Sequence, residues 1–102
     1  MLFLVKVTLP VEAGNKMIRD PKWQERIQKL VRGARAKDAY FAAADGQRTM
    51  YLIVDGIESS EIPRIAEPFW LSLNASVEFI PAMSQKDLAK ASRYINQAAK
   101  KY

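Results

Sequence analysis

AYFAAADGQRTMYLIVDG, residues 39 to 56, is the stretch that decides the fold. Two runs of strand-like composition flank Asp45-Gly46, and Asp-Gly between such runs is a strong sequence signal for a tight β-hairpin. The first run, 40–44, is small and aromatic, whereas the second, 50–54, is almost wholly apolar. Unbroken apolar runs are typical of central strands that are covered on both faces. The stretch therefore predicts a hairpin whose second strand lies inside a sheet.

The composition limits both the size and the chemistry of the protein. Its 102 residues match one domain, 1–102, and the absence of a long apolar window or a signal-like start leads us to expect a cytoplasmic protein without membrane contact. The sequence has no cysteine and no histidine, which excludes disulfides, Ser-His-Asp and Cys-His catalysis and the usual zinc and haem sites. We expect no metal and no cofactor, so proton transfer would fall to Asp, Glu, Lys or Tyr.

The chain before the hairpin predicts a strand and a helix. Residues 2–9 alternate as a strand that Pro10 ends, and 11–15, VEAGN, are expected to form a turn. A helix begins at Asp20 with Pro21 in its first position, or an earlier helix kinks there. Its apolar arc consists of Trp23, Ile27, Leu30, Val31 and Ala34.

A second helix follows the hairpin, capped by Ser59 or Ser60. Its apolar residues recur at helical spacing from Ile62 to Phe69. Pro68 removes a hydrogen bond and clashes one turn back, so the sequence predicts a kink or an end near residue 67.

The last segment predicts a strand and a helix. Residues 76–80 alternate as a fourth strand that Pro81 ends. Ser84 and Asp87 have the spacing of a capping box at the start of the last helix. One side of this helix is apolar: Leu88, Ala91, Ile95, Ala98, Ala99 and Tyr102.

The order of elements predicts an α+β fold, a ferredoxin-like βαββαβ plan with a four-stranded antiparallel sheet, two helices on one face and an added C-terminal helix. The other sheet face would carry Leu4, Ile80, Tyr40 or Phe41, and Tyr51 or Met50. That face is too apolar for a small monomer. We expect the last helix, a partner subunit, or both to cover it, and hence a homodimer.

Three segments carry a resemblance that covers nearly the whole chain: LFLVKVTLP with VEAGN, AYFAAADGQRTMYLIVD, and IPRIAEPFWLSLNASVEFIPAM. Through them the chain resembles the dimeric α+β barrel superfamily, which includes muconolactone-isomerase-like proteins and antibiotic-biosynthesis monooxygenases, and within it an uncharacterised bacterial branch. The resemblance implies two sheets packed face to face in a homodimer, with a ligand cavity between sheet and helices in each subunit. It implies no particular reaction, and the histidine that haem-degrading members often use is missing here.

The basic residues of the first helix have two interpretations. Lys22, Arg26, Lys29 and Arg32 share one side and could contact phosphates. No aromatic residues interleave with them, as single-strand binders require, and the third strand lacks the Gly-aromatic core of an RNA-recognition motif. We interpret this side as a solvated helix face, and nucleic acid is not the expected partner.

Four aromatic residues suggest a ligand pocket. Tyr40, Phe69 and Trp70, with Tyr51, could bind a small apolar or aromatic ligand, or they could be ordinary core. The disturbance that we expect at Pro68 and the small residues 42–44 would leave space for such a ligand.

Glu78 is the best candidate for a general acid or base, with Lys6 and Tyr51 as its partners. A mid-strand carboxylate among apolar residues should be partly removed from water, and Lys6 lies on a neighbouring strand of the ferredoxin-like order. The alternative is an ion pair that serves only the sheet. Glu12 and Asn15 could face a pocket mouth or be ordinary turn residues.

Two classes of function remain. The first is a homodimer with a mostly apolar small-molecule cavity that acts as a cofactor-independent enzyme, isomerase or monooxygenase-like, on a small carbonyl or phenolic metabolite. The second is a non-catalytic ligand-binding or assembly module. A pocket that holds a carboxylate or lysine of shifted pKa would favour the enzyme.

Overall fold

A computed structural model describes all 102 residues as an α+β fold built on one four-stranded antiparallel sheet. The strands are β1 (Leu2–Thr8), β2 (Asp38–Ala44), β3 (Gln47–Val54) and β4 (Ser76–Ala82). The helices are α1 (Val11–Ile18), α2 (Trp23–Gly33), α3 (Ile62–Leu73) and α4 (Gln85–Lys101). The strand order β2-β3-β1-β4 and this connectivity are compatible with a ferredoxin-like fold, and the sheet is open at both edges.

The hairpin forms as the sequence predicts. Ala44 pairs with Gln47, so Asp45 and Gly46 alone make the turn, and both have positive φ, 53° and 73°. Two left-handed residues define the type I′ turn, whose twist matches that of the strands. β3 lies between β2 and β1, which confirms it as a central strand.

The two faces of the sheet have different surroundings. One face carries Val5, Val7, Met50, Leu52 and Val54, which are buried against α1, α2 and α3 in a single core. No helix packs along the other face, which we call the open face. Alternation along the strands places on it Leu4, Lys6, Tyr40, Tyr51, Ile53, Glu78 and Ile80.

The connection after β1 is helical, not a turn, and this corrects the expectation for residues 11–15. α1 occupies Val11–Ile18, with Glu12 in its first turn and Lys16 in its last, an arrangement that complements the helix dipole. Gly14 and Met17 lie on its buried side. A turn that contains Asp20 and Pro21 then leads into α2, so the helix begins at Trp23 and not at Asp20 as predicted. In this turn the Asp20 carboxylate accepts a hydrogen bond from the backbone N–H of Lys22 at 2.9 Å.

The helix end that the sequence predicts near residue 67 is wrong, because α3 runs from Ile62 to Leu73 with Pro68 inside it. An interior proline costs about 3 kcal/mol. Phe69 and Leu73, which follow it on the buried side, are almost fully buried, and burying each such side chain is worth about 1.5–3 kcal/mol. Packing against the sheet therefore outweighs the local cost of the proline.

Two further boundaries differ from the sequence prediction. A 3-10 turn at Ser59–Glu61 leads into α3, and its capping box is formed by Glu58 and Glu61, not by a serine. β4 continues through Pro81 to Ala82. β4 is an edge strand, where a residue without an N–H is tolerated.

α4 begins with the predicted capping box. The Ser84 hydroxyl accepts from the Asp87 N–H, and the Asp87 carboxylate accepts from the Ser84 N–H, both at 3.1 Å. The helix continues to Lys101 and buries none of its residues. Neither α4 nor any other helix is both long and apolar enough to span a bilayer.

Replacing Gly46 with alanine should lower the free energy of unfolding by about 1 kcal/mol, because a side chain in the left-handed region costs roughly 1–2 kcal/mol. Gly33 is the matched control, since it is exposed, ends α2 and has open space where a Cβ would stand. Gly33→Ala should leave stability unchanged or raise it by up to about 1 kcal/mol. Urea denaturation measures both variants. Equal stability of Gly46→Ala and the parent would contradict the left-handed turn.

Candidate functional site

An apolar cavity of about 170 Å³ lies on the helix side of the sheet, between the α1–α2 pair and the hairpin. Eight of its ten lining residues are hydrophobic, and we call it the hairpin cavity. It is lined by Leu9, Met17, Ile18, Trp23, Ile27, Phe41, Ala42, Arg48, Thr49 and Met50. This composition, mostly apolar with few polar groups, is typical of small-molecule sites.

Arg48 is the one charged residue of the cavity. It precedes the buried part of β3, and its Nη1 donates to Asn15 Oδ1 of α1 at 3.1 Å. A guanidinium has five N–H donors, so four remain for another acceptor. The second polar residue, Thr49, is buried and donates its hydroxyl to the Gln47 carbonyl at 3.1 Å. Arg48 is therefore the group that can bind the polar end of a ligand.

Gly14 allows Arg48 to lie against α1. A Cβ at position 14 would stand 2.7 Å from Arg48 Nη1, closer than non-bonded carbon and nitrogen atoms approach in proteins. With a larger residue at position 14 the guanidinium, the far end of a flexible side chain, would have to move from the place where it donates to Asn15. Asn15 of α1 does not line the cavity but is linked to it by its hydrogen bond with Arg48.

Trp23 and Phe41 form the outer wall of the cavity. Beyond them lies a wider groove of about 440 Å³, lined by Trp23, Phe41 and Ile27 together with Gln24 and Gln28 of α2. Phe41 is 64% exposed although it is on the helix side of β2. The cavity is therefore open to solvent along α2 and can be reached without unfolding.

The sheet brings the predicted catalytic residues into one transverse row. Tyr40 pairs with Tyr51, Tyr51 with Lys6, and Lys6 with Glu78, on four adjacent strands. All four side chains lie on the open face, and we call them the polar row. A carboxylate, an ammonium group and two phenols there are the groups that general acid-base chemistry uses. The catalytic role of Glu78, Lys6 and Tyr51 and the ligand-binding role of Tyr40 stay predictions.

Within one chain the two ends of the polar row, Tyr40 and Glu78, are exposed to water, whereas Lys6 and Tyr51 are half-buried. Glu78 is exposed, and none of the four ion pairs of the structure joins it to Lys6. The desolvation expected from its apolar neighbours is therefore not supplied by its own subunit.

Phe69 and Trp70 lie on α3, on the other side of the sheet from the row. Phe69 is fully buried in the core, and Trp70 is 42% exposed on the outside of the helix. Neither residue lines the hairpin cavity or the groove beside it. The structure therefore does not bring them together with Tyr40 and Tyr51 in one pocket of a single chain.

The charged surface of α2 is solvated. Lys22, Arg26, Lys29 and Arg32 are all exposed, and Arg26 pairs with Asp20 at 3.3 Å. The pKa of Asp20 is lowered, first by the hydrogen bond from the Lys22 backbone N–H and then by Arg26.

No family model matches the chain, and no curated protein is similar to it in sequence. No group of three or more His, Cys, Asp or Glu side chains is placed to hold a metal ion. The site is thus interpreted from its own residues.

The sequence reasoning missed the residues of the hairpin cavity. Trp23 and Ile27 belong to the apolar arc that the sequence predicts for α2, and packing in the core was a sufficient explanation for their positions. Nothing local distinguishes Arg48 from a solvated strand residue. The available signal was Gly14, a glycine on the buried side of a segment that could have been read as helix.

The Tyr40 hydroxyl donates to Asp38 Oδ2 at 2.7 Å, and this hydrogen bond, followed by the charge of Asp38, raises the pKa of Tyr40 above its ordinary 10.0. We expect the Asp38→Asn variant to bring the Tyr40 pKa back towards that value. Because the folded-state pKa is the higher one, the pair contributes stability below pH 10 that is lost as the pH rises through the folded pKa.

Tyrosinate absorbance measures this pKa, and the difference between the parent and Tyr40→Phe isolates the one residue. Ionisation of Tyr40 at the ordinary value in the parent would contradict the hydrogen bond.

Proposed function

We propose that this protein binds a small, mostly apolar molecule in the hairpin cavity. The observation that carries the proposal is the pairing of an apolar chamber with a single guanidinium that keeps unused donors. A filled core would leave neither the space nor the free donors.

The size and charge of the cavity limit the ligand. An apolar cavity of about 150 Å³ holds one benzene ring, and the hairpin cavity has about 170 Å³. Trp23 and Phe41 offer ring faces and edges, which favour an aromatic partner. Arg48 favours a carboxylate or carbonyl oxygen at one end. The proposed ligand is therefore a single-ring or similarly small acid or carbonyl compound.

The proposed assembly is a homodimer. The open face carries large apolar side chains, among them the half-buried Leu4, Ile53 and Ile80, and no helix packs along it. Patches of this kind mark interaction sites in soluble proteins. The resemblance to dimeric α+β barrels points to the same face as the subunit interface.

A second candidate function is a cofactor-independent enzyme that uses the polar row. The register of Tyr51, Lys6 and Glu78 favours it, since three residues chosen for their chemistry are neighbours on adjacent strands. Glu78 would remove a proton next to a carbonyl group. The electron pair of that C–H bond would move to the carbonyl oxygen, where Lys6 or Tyr51 would stabilise the negative charge.

Ligand binding is tested with benzoate and toluene as probes. In Trp70→Phe only Trp23 emits, so benzoate should change the tryptophan emission and raise the melting temperature. Trp23→Phe is the control, because its remaining Trp70 lies outside the cavity. No emission change and no stabilisation by either probe would refute the cavity proposal.

The role of Arg48 is tested by Arg48→Leu, which keeps an apolar side chain at the cavity. A charge-assisted hydrogen bond is worth about 1.5–3 kcal/mol, so benzoate should bind roughly 10- to 100-fold more weakly, while toluene binding stays the same. An equal loss of affinity for benzoate and toluene would mean that the substitution has collapsed the cavity and that Arg48 has no specific role.

The enzymatic candidate is tested by proton exchange. In D₂O the parent should accelerate deuterium incorporation next to the carbonyl group of at least one compound in a panel of small ketones and aldehydes, followed by NMR. Glu78→Gln should abolish this exchange, while Glu67→Gln on exposed α3 should not. Exchange that persists in Glu78→Gln would mean that another residue removes the proton. A parent without exchange would refute the enzymatic candidate and leave ligand binding as the one proposed function.

A further inference from the structure

We propose that α4 of each subunit lies along the open face of the other, so that two chains exchange their last helices. The inference rests on the homodimer of the proposed function, and it replaces the sheet-to-sheet contact that the resemblance implies with a contact between a helix and a sheet. Two unpaired apolar surfaces of the same chain, a helix stripe and a sheet face, would cover each other across the pair.

α4 is the first of these surfaces. It is 17 residues long, buries none of them, and no strand or helix of its own chain packs along it. Leu88 is 49% and Ile95 52% exposed, although both belong to the apolar stripe that the sequence predicts. An amphipathic helix of this kind owes most of its stability to packing of the apolar side.

The chain exposes more surface than a compact monomer of its mass, and the excess is large enough for a subunit interface. The chain exposes 7360 Å², whereas a compact monomer of 11.6 kDa exposes about 5,800 Å². The radius of gyration is 16.7 Å, against about 13 Å for a compact domain of this length. The excess of roughly 1,500 Å² is more than the ~800 Å² per partner that a stable complex buries.

The dimensions of the two surfaces match. A 17-residue helix is about 25 Å long, and a seven-residue strand is about 23 Å long. Three of the six stripe residues are alanines, which allow a close approach to a sheet. Leu88 and Ile95 would supply the larger contacts over the apolar residues of the open face.

Charge distinguishes a second copy from other partners. α4 has five basic residues and one acidic residue, while the open face presents the exposed carboxylates of Glu78 and Asp38 against the single Lys6. A basic amphipathic helix could also bind an anionic membrane, but such helices insert bulky side chains. The alanine-rich stripe fits a flat protein surface better.

α4 does not return to its own sheet in this structure. Met83 and Ser84 are the only residues between β4 and α4, and the Ser84–Asp87 capping box fixes the first turn. The chain extends to 57 Å along its longest axis but only 27 and 20 Å along the others. The helix therefore leads away from its own open face.

The exchange of helices would change the surroundings of the polar row. With α4 of the second copy above them, Lys6, Tyr51 and Glu78 would be enclosed, which their own subunit does not achieve. The row would then be complete as a site only in the pair.

Light scattering coupled to gel filtration tests the interface. The parent should be a dimer, and Ile95→Glu should weaken association roughly 100-fold or more, because it places an unpaired charge in the contact. Gln97→Glu adds the same charge two residues away on the polar side of α4 and should leave the dimer intact. Circular dichroism confirms that both variants are folded.

Cross-linking distinguishes the exchange of helices from packing of α4 on the open face of its own subunit. The parent has no cysteine, so Leu4→Cys and Ile95→Cys can be prepared as two separate chains and mixed with a short bis-maleimide. A covalent dimer that joins one chain of each kind supports the exchange. A double variant that gives only an internally cross-linked monomer overturns it.

Each remaining outcome also decides the matter. A dimer that persists in Ile95→Glu and gives no cross-link between positions 4 and 95 overturns the helix exchange but leaves the homodimer and the hairpin cavity standing. A monomeric parent overturns both the exchange and the homodimer, while benzoate binding still tests the cavity. A monomer that binds phosphatidylglycerol vesicles through α4 overturns the exchange in favour of a membrane partner.

Discussion

The register of the β2–β3 pair is the constraint on which the rest of the molecule depends. A turn of two left-handed residues permits one pairing, and a slip by one residue would move every side chain of β3 to the other face of the sheet. In the observed register Met50 and Leu52 complete the core, and Phe41 borders the hairpin cavity. The same register places Tyr40 and Tyr51 side by side on the open face. Both candidate sites therefore depend on the register that this turn sets.

The two faces of the sheet divide the functional possibilities between them. The helix side has a chamber with one guanidinium but no carboxylate to move a proton. The open face has carboxylate, ammonium and phenol groups but no enclosure within one chain. The sheet itself lies between the two, so a ligand in the chamber does not touch the polar row of the same subunit. Binding and acid-base chemistry, if both occur, are different events at different places.

The sequence predicts those features that depend on neighbouring residues. The Asp45-Gly46 hairpin, the apolar arc of α2 and the capping box of α4 were all confirmed. The errors lie where tertiary contacts decide. Burial of the residues around Pro68 keeps α3 continuous, and the position of β4 at the sheet edge admits Pro81. Arg48 could not be identified because its partner, Asn15, is 33 residues away in the chain and only the fold joins them.

Gly14 shows how a site can oppose the stability of the element that carries it. Alanine is the better helix former by about 1 kcal/mol, so α1 by itself would gain from a change at this position. That gain is opposed by the Arg48 guanidinium, which would have to move from its position beside Asn15. Under the proposed function, selection for a more stable helix and selection for a guanidinium at the cavity would act on position 14 in opposite directions. A descendant of this chain without that function could accept the alanine, and α1 would then record the change.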